Sequence, residues 1–78
     1  MENSLVYKEV FMESFDIEEE VLVNLEYQSI ETWDSVGHMV LIAGLEEKFD
    51  IMIDMDDIID FSGFEKGKAI LAKYDIVV

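Results

Sequence analysis

The 78-residue chain contains no cysteine, no proline and no arginine, and each absence removes a class of explanation. Without cysteine there is no disulfide framework, no thiolate nucleophile and no thiolate metal site, so stability has to come from packing, as in a reducing cytoplasm. Without proline, and with all four glycines at or after Gly37, nothing interrupts helix along most of the chain. The longest apolar run, Met39 to Ala43, falls far below the roughly 20 residues a bilayer-crossing helix needs, so no stable membrane insertion is expected. The start of the chain carries Glu2 and Glu9 where a secretory signal would have basic residues and a long apolar stretch, which points to a cytoplasmic location. Basic charge is scarce: five lysines face nineteen acids, giving a formal charge of −14. Such a chain repels nucleic acid and anionic lipid and favours basic protein partners.

What is present is apolar and helical in pattern. Hydrophobic residues make up 51% of the chain, more than a disordered acidic tail carries, and the length allows one domain, residues 1–78. Asn3 or Ser4 is the candidate cap of a first helix to about Ser14, with Tyr7, Phe11 and Phe15 as its inward stripe. From Asp16 to Trp33 the periodicity is lost, and a long ordered loop is expected there, with one helical turn near Ile17 to Leu22. A second helix should begin at Asp34 or Ser35 and end near Phe49. At 100° per residue, Leu41, Ile42, Leu45 and Phe49 share one face with His38. Val36, Met39, Val40 and Ala43 gather on the opposite face, with Glu46 and Glu47 at its lower end. Asp54 to Phe61 reads as a short helix anchored by Ile58 and Ile59, its acids pointing outward. Ser62 and Glu65 have the spacing of a capping box for a last helix, with Gly67, Ile70, Leu71 and Tyr74 inward and an end near Asp75. The fold expected is all-α: a small four-helix bundle with a long first loop and a short third helix. Strands at Ile51 to Ile53 or Asp75 to Val78 would have no partners.

No catalytic constellation emerges. His38 lies three residues after Ser35, but a serine nucleophile also needs an orienting acid and an oxyanion hole, and neither is indicated. His38 is expected to be partly buried and bonded to the long loop, or else to meet the base of a prosthetic arm. The acids Asp54, Asp56, Asp57 and Asp60 do not make a calcium loop, because the required ligand and glycine positions hold Ile58 and Ile59. Ser35 stands out. A hydroxyl at a helix N-terminus is exposed where backbone N–H groups and the helix dipole favour a phosphate, and an apolar patch with an acidic end lies just beyond it.

Asp34-Ser35 followed by Val36, Met39, Leu41, Leu45, Glu46-Glu47-Lys48-Phe49, Ile51 and the acidic Asp54 to Asp57 step resembles the Asp-Ser-Leu signature and second helix of acyl carrier proteins. The resemblance extends from about Phe15 to Leu71. It implies that Ser35 is the attachment site of 4′-phosphopantetheine, delivered from coenzyme A by a phosphopantetheinyl transferase. It also implies that Asp34 helps that enzyme recognise the site. Val36, Met39, Val40, Ala43, Glu46 and Glu47 would form the face for partner enzymes, among them an acyl- or aminoacyl-loading ligase and downstream transferases or synthases. Such a protein is a monomeric carrier of a thioester and not itself an enzyme. Gly37 and Val40 stand where fatty-acid carriers usually have acids, and the Trp33 to His38 run looks more like dedicated carriers of polysaccharide or specialised-metabolite assembly, D-alanine carriers included. The alternative is an unmodified acidic helical adaptor that binds a basic protein through the same face.

Overall fold

The computed structural model describes residues 2–78, in which four α-helices and one 3-10 turn follow one another without a strand: α1 (Asn3–Phe15), the turn Glu19–Leu22, α2 (Ser35–Phe49), α3 (Met55–Asp60) and α4 (Phe64–Ala72). The all-α expectation holds, with the long first loop and the short third helix. The loop carries a helical turn where one was expected. No helix among the described residues is long and apolar enough to cross a membrane.

The core is built on aromatic contacts. Tyr7, Phe11 and Phe15 of α1 are all buried and face Leu41, Ile42 and Leu45 of α2. Trp33, at the end of the long loop, is fully enclosed, stacked on Phe15 at 5.0 Å and edge-on to Phe11 at 5.6 Å. Burying side chains of this size contributes roughly 1.5–3 kcal/mol each relative to exposure. Leu22 and Leu25 sink into the same core, so the loop is ordered by its own apolar anchors. The Tyr7 hydroxyl donates to the Phe64 carbonyl at 2.6 Å, tying α1 to the start of α4. Burial, with Glu65 nearby, pushes that phenol well above the ordinary tyrosine range, so it remains a donor at any physiological pH.

Three segments end alike. Phe15-Asp16-Ile17, Phe49-Asp50-Ile51 and Tyr74-Asp75-Ile76 each put the aspartate in the left-handed region, at φ 56°, 55° and 64°. The isoleucine N–H then reaches back five residues, to the carbonyls of Met12, Glu46 and Leu71 at 3.2, 3.1 and 3.1 Å. This is the 6→1 bond of a Schellman ending, with aspartate in the place usually held by glycine. No glycine has positive φ. Glycine serves close approach instead: a Cβ on Gly67 would stand 2.2 Å from the Phe61 ring and 2.3 Å from the Tyr7 hydroxyl.

Several local expectations are corrected. Neither Asn3 nor Ser4 caps α1: the cap position is Glu2, with no side-chain bond, because Val6 N–H already bonds the Glu2 carbonyl at 3.2 Å. The Ser62–Glu65 capping box does not form, and Gly63 occupies the cap of α4. A backbone bridge between Glu26 and Gly63 replaces it: Tyr27 N–H bonds the Ser62 carbonyl and Phe64 N–H the Leu25 carbonyl, both at 2.9 Å. Ile59 does not anchor α3, being 71% exposed; Ile58 is the half-buried residue. The acids of α3 do not all point outward either. Asp57 is buried, its carboxylate bonded to Lys73 Nζ and to the Tyr74 hydroxyl at 2.6 Å, which fastens α3 to the chain beyond α4.

Candidate functional site

The start of α2 is fixed by two devices. Asp34 is its N-cap, and its carboxylate accepts from Gly37 N–H at 2.8 Å, taking up one of the amides a helix start leaves open. Gly37 lets the loop pass close by: a Cβ there would lie 1.9 Å from the Thr32 carbonyl oxygen. Thr32 is itself pinned by a bond from its hydroxyl to the Phe15 carbonyl at 3.0 Å. Capping therefore falls to Asp34, and Ser35 is left exposed in the first turn, where open N–H groups and the dipole favour an anion.

Beside Ser35 lies a groove of about 410 Å³ between α2, α3 and the long loop. Its deeper wall is His38, Ile58 and Phe61, and its rim is Tyr27, Met39, Met55 and Ile59. The rim side chains are 38, 54, 71 and 71% exposed, a concentration of apolar surface that a chain of this charge has no need to leave open. Tyr27, Met55 and Phe61 were not among the site residues expected from the sequence, and Ile59 was expected only as an inward anchor of α3. The i, i+4 spacing of Met55 and Ile59 was the available signal for an outward apolar edge on α3.

His38 joins three elements. Trp33 Nε1–H donates to its Nδ1 at 2.9 Å, and its Nε2 meets the Ile58 carbonyl at 2.8 Å, so the expected tie to the long loop exists and a second tie runs to α3. Its backbone N–H closes the first turn of α2 on the Asp34 carbonyl at 2.8 Å.

The expected partner face is only partly assembled as the sequence pattern drew it. Val36, Met39, Val40, Ala43 and Glu47 are exposed together along α2. Glu46 is half-buried, and its carboxylate turns back to accept from Ile53 N–H at 2.9 Å. Ile53 is a buried residue of the α2–α3 connection, and its amide would otherwise lack an acceptor. Among the described residues no group of three or more acidic or histidine side chains converges to hold a metal ion.

The residues present are compatible with a phosphodiester-linked arm on Ser35: the hydroxyl is exposed, the first-turn amides lie beside it, and an apolar groove starts at its foot. Compared with family models, with curated proteins and with solved structures, the chain finds no match in any of the three.

Proposed function

We propose that this chain is a carrier protein that bears 4′-phosphopantetheine on Ser35 and presents an acyl or aminoacyl cargo to partner enzymes. The observation that carries the reading is the placement of Ser35: exposed in the first turn of α2, relieved of capping by Asp34, and opening onto the apolar groove. The arm supplies a terminal thiol on which cargo is held as a thioester. Its attachment breaks the pyrophosphate link of coenzyme A, forms a phosphodiester at Ser35 Oγ and releases adenosine bisphosphate together with the hydroxyl proton.

In this reading the chain's own residues bind and orient. The Ser35 and Val36 amides, left open once Asp34 takes Gly37 N–H, face the phosphate, the groove wall of Phe61 and Ile58 receives the apolar part of arm or cargo, and Val36, Met39, Val40 and Ala43 offer a partner an apolar centre with Glu47 at its rim. The formal charge of −14 adds long-range attraction to basic partners, an effect on encounter rate that fades with salt. Because Gly37 is required by packing against Thr32, its presence where fatty-acid carriers have an acid is a structural choice of this chain. The apolar character at Val40 favours a dedicated carrier over a fatty-acid one. The test is incubation with coenzyme A and a broad-specificity phosphopantetheinyl transferase, read by intact mass. Wild type should gain one phosphopantetheine and Ser35→Ala none. A wild type that stays unmodified while folded leaves the acidic-adaptor reading in its place.

A further inference from the structure

We propose that His38 is a positioning residue whose neutral imidazole clamps the long loop and α3 onto α2, so that its protonation loosens the groove beside Ser35. An indole N–H can only donate, so His38 Nδ1, 2.9 Å from Trp33 Nε1, must be the bare acceptor nitrogen. A neutral ring then carries its hydrogen on Nε2, which faces the Ile58 carbonyl at 2.8 Å, a group that can only accept. The two partners together select one tautomer of the neutral form.

A proton added at Nδ1 sets N–H against N–H, and one side has to give way. Trp33 is fully buried between Phe11 and Phe15 and cannot retreat without opening the core. The half-buried imidazole is the freer partner, and when it moves the Ile58 bond goes with it. Ile58 belongs to a helix of six residues, whose other ties include Asp57 to Lys73 and Tyr74, the bond from Asp54 N–H to the Tyr74 hydroxyl at 2.9 Å, and buried Phe61. His38, Ile58 and Phe61 are the groove wall, so the wall itself loosens.

Among the described residues no carboxylate is ion-paired with the imidazole to offset the added charge. From the loop, the Tyr27 ring lies edge-on at 5.5 Å, and the Asp34 carboxylate is taken by Gly37 N–H. From α3, the Asp57 carboxylate turns to Lys73 and Tyr74, and the Phe61 ring is edge-on at 6.3 Å. The inference concerns the unmodified chain; only the use of the groove by a cargo arm rests on the carrier reading.

The single histidine and single tryptophan make the test unambiguous. On the unmodified protein, imidazole nitrogen and indole N–H resonances would be followed as the pH is lowered from the alkaline side until the imidazole is charged. Affinity for the neutral apolar dye N-phenyl-1-naphthylamine would be followed in parallel, in wild type and in His38→Gln. The expected result is an Nε2–H tautomer at the alkaline end, loss of indole N–H protection as the imidazole titrates, and at least threefold tighter dye binding through the same midpoint. His38→Gln, which offers a donor and an acceptor but takes up no proton, should show neither change. An Nδ1–H tautomer in wild type overturns the proposal, as does an indole and dye response equal in the two proteins. If His38→Gln fails to fold, the wild-type tautomer and the indole titration decide alone: an Nδ1–H tautomer, or an indole N–H still protected once the imidazole is charged, overturns it.

Discussion

Replacing Gly37 by alanine tests the packing that presents Ser35. The added Cβ would stand 1.9 Å from the Thr32 carbonyl oxygen and 3.1 Å from its carbon, both backbone atoms that cannot rotate away. The segment that would have to yield is held by the Thr32 hydroxyl bond to Phe15 and by buried Trp33. Overpacking of this kind costs about 1–3 kcal/mol, and so close an approach belongs at the upper end. Alanine returns roughly 1 kcal/mol of helix propensity, leaving a net loss of about 2 kcal/mol. With an unfolding entropy near 2.1 cal/mol/K per residue, a chain of 78 residues has about 0.16 kcal/mol/K in all, so the midpoint should fall by roughly 12 °C. Thermal unfolding followed by circular dichroism measures it. Gly44→Ala is the internal control, since its Cβ would meet only the Val10 Cγ1 at 3.0 Å and the Ser14 hydroxyl at 3.8 Å, and the propensity gain should offset the crowding. A Gly37→Ala midpoint within about 3 °C of wild type, against that expected drop, would refute the close-approach argument.

Asp50→Asn should stabilise the fold by about 0.3–1 kcal/mol, because it removes a negative charge from the C-terminus of α2 while keeping a side chain that tolerates the left-handed backbone; chemical denaturation at low salt measures the gain. The Asp57 carboxyl is held below the ordinary aspartate range by its bonds to Lys73 and then Tyr74, so its contribution is present at neutral pH and lost as pH falls below about 4, through the native value. The stability gap between wild type and Asp57→Asn should therefore narrow on acidification, and a gap constant down to the acid limit would contradict it. Met39→Glu and Glu47→Lys should each slow phosphopantetheine transfer several-fold with the helical dichroism unchanged, the Glu47 effect shrinking in added salt as a screened charge must.

The parts of this molecule that follow a single element's period were legible in the sequence. The two faces of α2 are an example: Leu41, Ile42 and Leu45 are buried and Val36, Met39 and Val40 exposed, as 100° steps require. Features that depend on pairs far apart in the chain were not. The start of α4 is set by backbone groups of Leu25 and Tyr27, so the Ser62–Glu65 spacing was a misleading local cue. Asp57 was expected outside because aspartate seldom lies buried, and only the fold brings Lys73 and Tyr74 to it. Glu46 fits the expected partner face by angle, but the α2–α3 connection brings the Ile53 amide to its carboxylate. The aromatic-Asp-Ile endings were present in the sequence three times, yet aspartate is an uncommon residue for a left-handed cap and the repetition gave no hint of its conformation.

The central claim is that Ser35 alone accepts the arm. After incubation with coenzyme A and a phosphopantetheinyl transferase, proteolysis and tandem mass spectrometry locate the modified residue among Ser4, Ser14, Ser29, Ser35 and Ser62. The carrier reading predicts a single phosphopantetheine on the peptide bearing Ser35, and an unchanged mass for Ser35→Ala. Modification at another serine, or none on a folded wild type under conditions that fully load a control carrier, would contradict it.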